Sequence, residues 1–346
     1  MSFSPVAAVF GRLLEARARR YSTGRSTSHR LRHPVVSVGN LTLGGTGKTP
    51  FCEFLARRLR FEGRHPAILS RGYGRSSRGL IVVSAGEGPL VDAGVGGDEP
   101  VELARRLPGV IIVVARRRVE AAREAERLGA DLFLLDDGYQ HLSLQRDANL
   151  LLLDARDPFG GSRFPPGGRL REPLSALDRA DAFVFTRAEP GAPSPDARRT
   201  LEHWNPRAPI FTARIRPVGI FDENGGSLAA EALATRRFLA VCGIAQPDTF
   251  STALAELDLF AEAKIVFPDH HRYRTRDLAG IGREADRTSS SWVLTTEKDA
   301  GKLKGRLSLP VATVRLGVEM VETGFFPFLA SCLEPACAPG AVPAGR

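Results

Sequence analysis

The sequence predicts an α/β fold in which a parallel sheet with covering helices is followed by a second, smaller α/β domain. Short apolar runs of strand length alternate with helical patterns along most of the chain, as buried parallel strands and their crossover helices do. A glycine-rich turn joins the first of these strands to the first long helix, at residues 39–48. The alternation is interrupted at residues 154–173 by a stretch rich in Gly, Pro and Arg, which indicates a loop and a domain junction.

The individual elements follow from these patterns in chain order. In the first series we expect strands at 34–38, 67–69, 110–114, 132–135 and 150–153, with a helix at 48–61. In the second series we expect strands at 182–185, 210–215, 238–241, 263–267, 293–295 and 311–314. The predicted domains are an N-terminal arm at 1–30, a first α/β domain at 31–153, a second at 154–334 and a flexible tail at 335–346.

Composition excludes several classes of protein. With 43% hydrophobic and 25% charged residues, the chain has the composition of a globular protein rather than a disordered or fibrous one. Apolar runs stay well short of the roughly 18 residues of a membrane-spanning helix. We expect neither a membrane span nor a secretory signal, which would keep the protein on the cytoplasmic side. The four cysteines form no CxxC pair, so we expect free thiols in a reducing compartment.

Positive charge is concentrated at the N-terminus. The first 32 residues hold seven Arg and one Glu, which is +6 of the formal net charge of +9. Because the rest of the chain is close to neutral, the charge indicates a basic arm rather than a nucleic-acid-binding surface.

The same arm predicts a short amphipathic helix. Its apolar residues recur at helical spacing, and its charged residues fall towards the other side. The apolar set is Val6, Val9, Phe10, Leu13 and Leu14, and the charged set is Arg12, Glu15 and Arg19. Such a helix can lie on an anionic membrane surface or pack against its own domain, and the segment alone leaves both open.

The strongest chemical signal is the glycine-rich turn after the first predicted strand. Its sequence follows the P-loop pattern GxxxxGK[ST], with Thr42 in place of the first glycine. Backbone N–H groups of such a loop surround nucleotide phosphates, the Lys48 ammonium reaches them, and the Thr49 hydroxyl can bind Mg²⁺. The predicted nucleotide-binding residues of the loop are Thr42, Leu43, Gly44, Gly45, Thr46, Gly47, Lys48 and Thr49.

A second signal is the pair Asp136 and Asp137, which ends an apolar strand. In a P-loop fold this is the place of the acidic residue that holds Mg²⁺. Acidic turns after strands also occur in proteins without nucleotide, but beside a glycine-rich loop the functional interpretation is favoured. The pattern does not separate the roles of the two carboxylates.

Further short motifs occur in a fixed order with these two. They are SRGYG at 70–74, GDEP at 97–100, LREPL at 170–174, DHxxY at 269–273 and TEKD at 296–299, besides GGTGKTP at 44–50 and DDGYQH at 136–141. In this combination the chain resembles, from its N-terminal helix to about residue 302, the tetraacyldisaccharide 4'-kinase family, the lipid A 4'-kinases of Gram-negative bacteria.

The resemblance implies a reaction and a location. The reaction is phosphorylation, with ATP and Mg²⁺, of the 4'-hydroxyl of a tetraacylated glucosamine disaccharide 1-phosphate, which gives the bis-phosphorylated lipid A precursor. The location is the cytoplasmic face of the inner membrane, for a peripheral enzyme whose two α/β domains close over the nucleotide. The basic helix would then dock on the anionic membrane that holds the acylated disaccharide lipid. We expect a monomer without a nucleic-acid partner.

The resemblance also implies roles for individual residues. Asp98 matches the catalytic base and His270 the partner that orients it, with Lys48 as the third catalytic residue. Arg118 would face the nucleotide, although three consecutive Arg at 116–118 leave the register open. The implied Mg²⁺ ligands are Thr49, Glu99, Asp136 and Asp137. The implied substrate contacts are Tyr73, His141, Arg171 and Glu172. Because Asp98 and His270 lie in different predicted domains, closure would complete the site and exclude water.

Two other functions compete with this one. A P-loop enzyme with another acceptor, such as a metal-insertion NTPase or a small-molecule kinase, would have no reason to share Asp98, His270 and the LREPL segment. A nucleic-acid-binding ATPase is suggested only by the overall charge, and the sequence contains no recognisable nucleic-acid module. In TEKD, Thr296 and Asp299 predict the start of a helix rather than a guanine-reading motif, so we expect an adenine nucleotide.

Overall fold

The computed structural model describes residues 5–188, 193–244, 247–269 and 271–334. Contacts between Cα atoms divide the chain into two units, Met1–Ala213 with Met320–Arg346, and Arg214–Glu319. The strands are β1 Val35–Asn40, β2 Pro66–Ser70, β3 Ile81–Ala85, β4 Ile111–Val114, β5 Leu132–Asp136, β6 Ala148–Asp154, β7 Ala182–Thr186, β8 Ile210–Phe221, β9 Ser227–Leu228, β10 Phe238–Cys242, β11 Ala263–Val266, β12 Trp292–Thr296 and β13 Val311–Met320. The α-helices are α1 Pro5–Ser22, α2 Lys48–Phe61, α3 Ala93–Gly96, α4 Asp98–Arg106, α5 Arg118–Arg127, α6 Pro195–Trp204, α7 Ala230–Ala234, α8 Pro247–Glu256, α9 Thr275–Thr288, α10 Glu297–Leu303 and α11 Phe325–Leu333.

The first unit is built on a sheet with the strand order β8-β7-β6-β1-β5-β2-β4-β3. Neighbouring strands are parallel except at the edge, where β3 runs antiparallel to β4. The strand β1 lies between β6 and β5, with Val38 opposite Leu150 and Asp136. The carboxyl ends of β1 and β5 therefore meet at one edge of the sheet, which brings the glycine-rich turn and the acidic pair together.

The apolar runs that predict these strands are buried inside the first unit. Phe133 and Leu135 of β5 are at most 1% exposed and lie in one core cluster with Ala121 and Ala122 of α5. A strand covered on both faces needs an uninterrupted apolar sequence, which explains why such runs were informative. The predicted α/β class and the strands of the first series are confirmed. The edge strand β3 was not predicted, and its pairing with β4 shifts register between Val82 and Ser84.

The division of the chain differs from the predicted boundary after residue 153. The residues on either side of the Gly- and Pro-rich stretch form the neighbouring parallel strands β6 and β7, with Leu150 opposite Ala182. The stretch is therefore a loop within the first unit, and the chain enters the second unit only after Ala213. In sequence, a loop and a linker of this composition look the same.

The first unit also receives the helix α11, which lies beyond the second unit in the sequence. The ring of Phe325 lies 5.9 Å from that of Phe51 in α2 and 5.2 Å from that of Phe211 in β8. Phe326 lies 5.6 Å from Phe54. These aromatic contacts place residues 325–333 in the first unit, whereas the sequence assigned them to the second domain. The predicted tail at 335–346 lies outside the described residues.

The second unit has the strand order β11-β10-β12-β13-β8, with β9 antiparallel to β8. The strand β10 is parallel to β11 and to β12, and β12 is parallel to β13. Phe238 and Ala240 of β10 share a cluster with α8, whereas Leu239 and Val241 share one with α9. Alternate residues of one strand thus pack on opposite faces, which confirms the smaller α/β unit.

The helix predicted at TEKD is present and begins at Glu297. The Thr296 hydroxyl donates to the Asp299 carboxylate at 3.1 Å rather than accepting from the helix backbone. Asp299 is fully buried and also accepts from the Gly243 N–H at 2.7 Å and from Lys302 at 3.3 Å. This carboxylate therefore joins the end of β10 to α10.

The N-terminal helix α1 presents apolar side chains to solvent. Val9 is 57% exposed, Phe10 48% and Leu13 64%. Gly11 is buried, and a Cβ there would lie 2.9 Å from the Phe164 ring. The helix thus packs on the first unit through its Gly11 side and leaves an apolar strip uncovered. Among the described helices, none is long and apolar enough to cross a membrane.

Candidate active site

The glycine-rich loop connects β1 to α2 at the carboxyl edge of the first unit's sheet. Gly44 has a φ of 116° and Gly47 a φ of 82°, both in the left-handed region where a side chain is unfavourable. Lys48 is the first residue of α2, so the loop ends at a helix N-terminus. This is the strand, loop and helix arrangement that binds anions with backbone N–H groups and a helix dipole.

Asn40, the last residue of β1, organises the loop from inside. Its Nδ2 donates to the carbonyl oxygens of Thr42 at 2.8 Å and Gly44 at 3.4 Å. Its Oδ1 accepts from the Lys48 ammonium at 3.1 Å. The sequence reasoning missed Asn40, although its place directly before the loop was the available signal.

Thr42 replaces a glycine of the strict pattern without disturbing the loop. It forms an antiparallel β-bridge with Leu170, and the neighbouring Leu43 N–H donates to the Arg169 carbonyl at 2.6 Å. Extended backbone suits a β-branched residue, so this position does not require glycine here.

Two carboxylates converge on the Thr49 hydroxyl at the start of α2. Thr49 Oγ1 lies 3.4 Å from Glu99 Oε2 and 3.5 Å from Asp136 Oδ2. Asp136 is buried, and Cys52 Sγ lies 3.8 Å from its other oxygen. Burial, together with the negative charges of Glu99 and Asp137, raises the pKa of Asp136 to about 6.

Asp137 has the opposite electrostatic environment. Its carboxylate accepts from Arg171 at 2.8 and 3.0 Å and lies 3.4 Å from the Lys48 ammonium. Burial by itself would raise the pKa of Asp137, but Lys48 and Arg171 outweigh it and the pKa is lowered. Asp137 is therefore ionised and balanced by two cations. At Asp136 the attraction of Lys48 and Arg118 is outweighed by burial and by the neighbouring carboxylates.

The oxygen donors around Thr49 fit a divalent cation. In the described part of the chain, no group of three or more His, Cys, Asp or Glu is already arranged as metal ligands. Mg²⁺ needs fewer, because it binds through one or two carboxylates together with water and substrate phosphates. The hydroxyl of Thr49 and the carboxylates of Glu99 and Asp136 supply this kind of donor, and the raised pKa of Asp136 marks a site that a cation would stabilise.

The segment SRGYG lies against the start of α4. Gly97 has a φ of 94°, and a Cβ there would meet the Tyr73 carbonyl oxygen at 3.3 Å and the Gly72 Cα at 3.5 Å. Asp98 and Glu99 follow as the first residues of α4, at the positive end of the helix dipole. The Tyr73 side chain is 92% exposed. The predicted partner of Asp98, His270, lies outside the described residues.

Two other predicted residues, His141 and Arg118, lie near the end of β5 and are partly or fully buried. His141 is half-buried, and its Nε2 lies 3.1 Å from Ser143 Oγ. Burial and the neighbouring arginines, first among them Arg118, lower the pKa of His141 to about 4, so its imidazole is neutral at pH 7. Arg118 is 4% exposed and donates to the Ala115 carbonyl at 2.9 Å, and burial lowers its pKa to about 10. It remains a cation at neutral pH.

Glu172 occupies an internal position. It is 2% exposed, forms an ion pair with Arg179 at 2.6 Å and accepts from Gln140 at 3.2 Å. Gln140 donates in turn to the Asn40 carbonyl at 3.0 Å. Glu172 thus connects the LREPL segment to the DDGYQH turn and to the strand that carries the P-loop.

Comparison with known proteins identifies relatives along nearly the whole chain. The chain is 41% identical over 337 residues to a tetraacyldisaccharide 4'-kinase of Anaeromyxobacter sp. (strain K), which covers 93% of this chain and 88% of that relative. It is 42% identical over 313 residues to a protein of the same name from Geobacter sulfurreducens, which covers 89% of this chain and 86% of the relative.

A solved structure and a family model agree with these relatives. A crystal structure of LpxK from Aquifex aeolicus in complex with ATP superimposes with a TM-score of 0.76 at 30% identity, covering 95% of this chain and 98% of that one. The model of the family described as tetraacyldisaccharide-1-P 4'-kinase matches residues 1–334. The resemblance found in the motifs is thus confirmed, and the chain belongs to the tetraacyldisaccharide-1-P 4'-kinase family.

Proposed function

We propose that this protein transfers the γ-phosphoryl group of ATP to the 4'-hydroxyl of tetraacyldisaccharide 1-phosphate and so forms the bis-phosphorylated lipid A precursor. Membership of the family and the ATP in the Aquifex aeolicus structure support this function. The observation that carries it is the arrangement around α2, where Lys48 lies between Asn40 and Asp137 while Thr49 lies between Glu99 and Asp136. These residues meet the two needs of phosphoryl transfer, which are positioned phosphates and neutralised charge.

The P-loop and Lys48 bind the phosphates of ATP in this proposal. Loop N–H groups and the N-terminus of α2 face the phosphates, and the Lys48 ammonium contacts their terminal oxygens. We assign Thr49, Glu99 and Asp136 as the protein ligands of Mg²⁺, with Asp137 beside them. The bound ion would neutralise charge that develops on the transferred group.

We assign Asp98 as the base that accepts the proton of the attacking hydroxyl. It begins α4 next to Glu99, so its carboxylate lies at the positive end of that helix. His270 is assigned as its orienting partner from the family resemblance alone. General bases of this kind typically accelerate a reaction by about 10² to 10⁴-fold.

We assign Arg171, Tyr73 and His141 to the acceptor lipid, since they lie on the segments around the P-loop and the end of β5. A guanidinium such as that of Arg171 suits the 1-phosphate. The neutral imidazole of His141 can exchange hydrogen bonds with sugar hydroxyls. We retain Arg118 as a nucleotide-facing cation. Glu172 was predicted as a substrate contact, but it is buried and bonded to Arg179 and Gln140, so we assign it instead to holding the LREPL segment in place. We expect an active monomer.

The assay for this function is transfer of labelled γ-phosphate from ATP to tetraacyldisaccharide 1-phosphate in detergent with Mg²⁺. We expect product with the unmodified protein and loss of at least about 10²-fold in Lys48→Ala and Asp98→Asn. Asp92→Asn is the matched control, because Asp92 caps the neighbouring helix α3 through the Val95 N–H at 3.0 Å. Absence of lipid product from a folded protein that binds ATP would instead favour a P-loop enzyme with another acceptor.

The exposed side of α1 supports docking on the cytoplasmic face of the inner membrane as a peripheral protein. Its apolar strip adjoins a basic segment, a combination that binds anionic lipid surfaces. We expect Val9→Ser with Leu13→Ser to weaken sedimentation with vesicles containing anionic phospholipid. Phe61→Ser with Leu90→Ser is the control, because these apolar side chains are 85% and 62% exposed elsewhere on the first unit. Equal vesicle binding by all three proteins would count against docking through α1.

A further inference from the structure

The end of β7 contacts the P-loop through two consecutive residues. The Thr186 hydroxyl donates to the Thr46 carbonyl at 3.0 Å, and Thr186 is buried. The Arg187 Nη2 donates to the Gly45 carbonyl at 2.6 Å. Its Nη1 is fixed at the same time by Asp154 Oδ2 at 2.5 Å, at the end of the neighbouring strand β6. Two successive peptide carbonyls of the loop are thus held by the strand beyond β6.

These contacts determine where the loop N–H groups point. In a planar trans peptide, the C=O of one residue and the N–H of the next point in opposite directions. Fixing the carbonyls of Gly45 and Thr46 therefore fixes the N–H groups of Thr46 and Gly47 on the other side. Asn40 does the same for the Gly45 N–H through the Gly44 carbonyl.

The N–H groups of Gly45, Thr46 and Gly47 are not used inside the protein. Within the part of the chain that the structure describes, no carbonyl or side-chain oxygen accepts from them. Successive N–H groups directed to one side of a loop at a helix N-terminus form an anion-binding concavity.

The backbone of Arg187 is a second observation that singles out this residue. Its φ is 56°, which is unfavourable for a residue with a Cβ. Such conformations are retained where the surrounding structure imposes them, and they concentrate at functional sites. Asp154 balances the Arg187 charge, so the guanidinium acts on the loop through the direction of its hydrogen bond more than through net charge.

We propose that Thr186 and Arg187 are positioning residues that hold the P-loop peptides in the orientation that binds nucleotide phosphates. This inference rests on the proposed function only in that the loop binds ATP. It predicts that removing either contact weakens ATP binding and leaves turnover at saturating ATP nearly unchanged, because neither side chain touches the transferred group.

The test measures the Kd of Mg-ATP by calorimetry without lipid, and then KM for ATP and kcat with the lipid acceptor. We expect Kd and KM to rise about tenfold in Arg187→Met and about threefold in Thr186→Val, as expected for a charged and a neutral hydrogen bond. We expect kcat to stay within about twofold, and Arg187→Lys to recover part of the affinity because an ammonium can keep one of the two bonds.

Arg156→Met is the matched control. Arg156 pairs with the same Asp154 carboxylate at 3.2 Å, so its removal perturbs that carboxylate but leaves the Arg187 bond to Gly45 in place. We expect this variant to bind ATP like the unmodified protein. The proposal is overturned if folded Arg187→Met keeps its ATP affinity, or if Arg156→Met loses as much. If Arg187→Met does not fold, Thr186→Val and Arg187→Lys decide by the same measurement. An unmodified protein that binds no ATP would refute the proposed function instead.

Discussion

Replacing Asp136 by asparagine is expected to stabilise the protein at neutral pH while removing a proposed metal ligand. The carboxyl is 5% exposed, and burial with the charges of Glu99 and Asp137 raises its pKa from 3.8 to about 6. The difference is about two pKa units, and each unit corresponds to about 1.4 kcal/mol, which gives about 3 kcal/mol. Ionisation of the Asp136 carboxyl should therefore lower the free energy of unfolding by roughly this amount.

The sign of the effect follows from the direction of the shift. Because the folded pKa lies above the unfolded value, the folded protein binds the proton more tightly than the unfolded chain does. The protonated Asp136 therefore stabilises the fold fully below about pH 4, and this stability is lost as the pH rises through about 6. Asparagine resembles the protonated form at every pH. The advantage of Asp136→Asn should thus be absent near pH 4 and complete above pH 7.

The measurement is the free energy of unfolding in urea between pH 4.5 and 8, without divalent cations. The adjacent Asp137→Asn is the control, because the pKa of this partly buried carboxyl is lowered by Lys48 and Arg171. It should lose stability at neutral pH relative to the unmodified protein. If Asp136→Asn shows no gain that grows with pH, or if both variants respond with the same sign, the electrostatic reasoning about this site is wrong. Mg-ATP should stabilise the unmodified protein more than Asp136→Asn, since only the former keeps the full set of donors.

Three further outcomes are expected. The imidazole of His141 should stay neutral at pH 5 to 8, because its pKa is lowered to about 4 by burial and by nearby arginines, and an NMR titration of its ring protons near pH 6.5 would contradict this. Asp299→Ala should lower the free energy of unfolding by about 2 to 4 kcal/mol, since it removes a buried acceptor of several hydrogen bonds. Asp286 is exposed in the same unit, so Asp286→Ala should change the free energy of unfolding little. Gly97→Ala should destabilise the protein by about 1 to 2 kcal/mol and reduce phosphoryl transfer, because φ is 94° and its Cβ would press on the Tyr73 carbonyl. Gly282→Ala, with nothing within 4 Å of the added Cβ, is the control, and equal stability and activity of both variants would show that the Gly97 contact does not matter.

The strands of the first unit and the glycine-rich loop could be predicted from the sequence, because each depends on residues that are close together in the chain. A strand buried on both faces must be apolar along its length, and a loop that surrounds phosphates must be rich in glycine before Lys48. The predicted domain boundary failed to match the structure for the same reason. The composition of residues 154–173 reports a loop, but only the pairing of β6 with β7 shows that the chain stays in one sheet.

The contacts that sequence reasoning missed depend on which strands become neighbours. Arg187 lies more than a hundred residues from Gly45, and its bond to that carbonyl exists because β7 follows β6 and β6 follows β1 in the sheet. Asn40 lies directly before the glycine-rich loop, but no sequence pattern distinguishes its amide from that of any other asparagine. Residues that shape a motif from a distance are therefore the part of a site that spacing cannot reveal.

The two carboxylates of the DDGYQH turn have different roles in the structure, although the sequence pattern does not distinguish them. The difference comes from the backbone conformation at the turn. Asp136 ends β5 with its side chain buried under α2, whereas Asp137 has a φ of 55° and turns towards Lys48 and Arg171. An anion that approaches Lys48 competes with Asp137 for the same ammonium. A cation that approaches Thr49 stabilises the ionised form of Asp136, which burial and the nearby carboxylates disfavour. The phosphates would thus replace Asp137 as the partner of Lys48. The metal ion would instead reduce the repulsion that Asp136 experiences before binding. Asp136 thus fits the metal ligand, and Asp137 fits the group that holds Lys48 and Arg171 in place until the phosphates arrive.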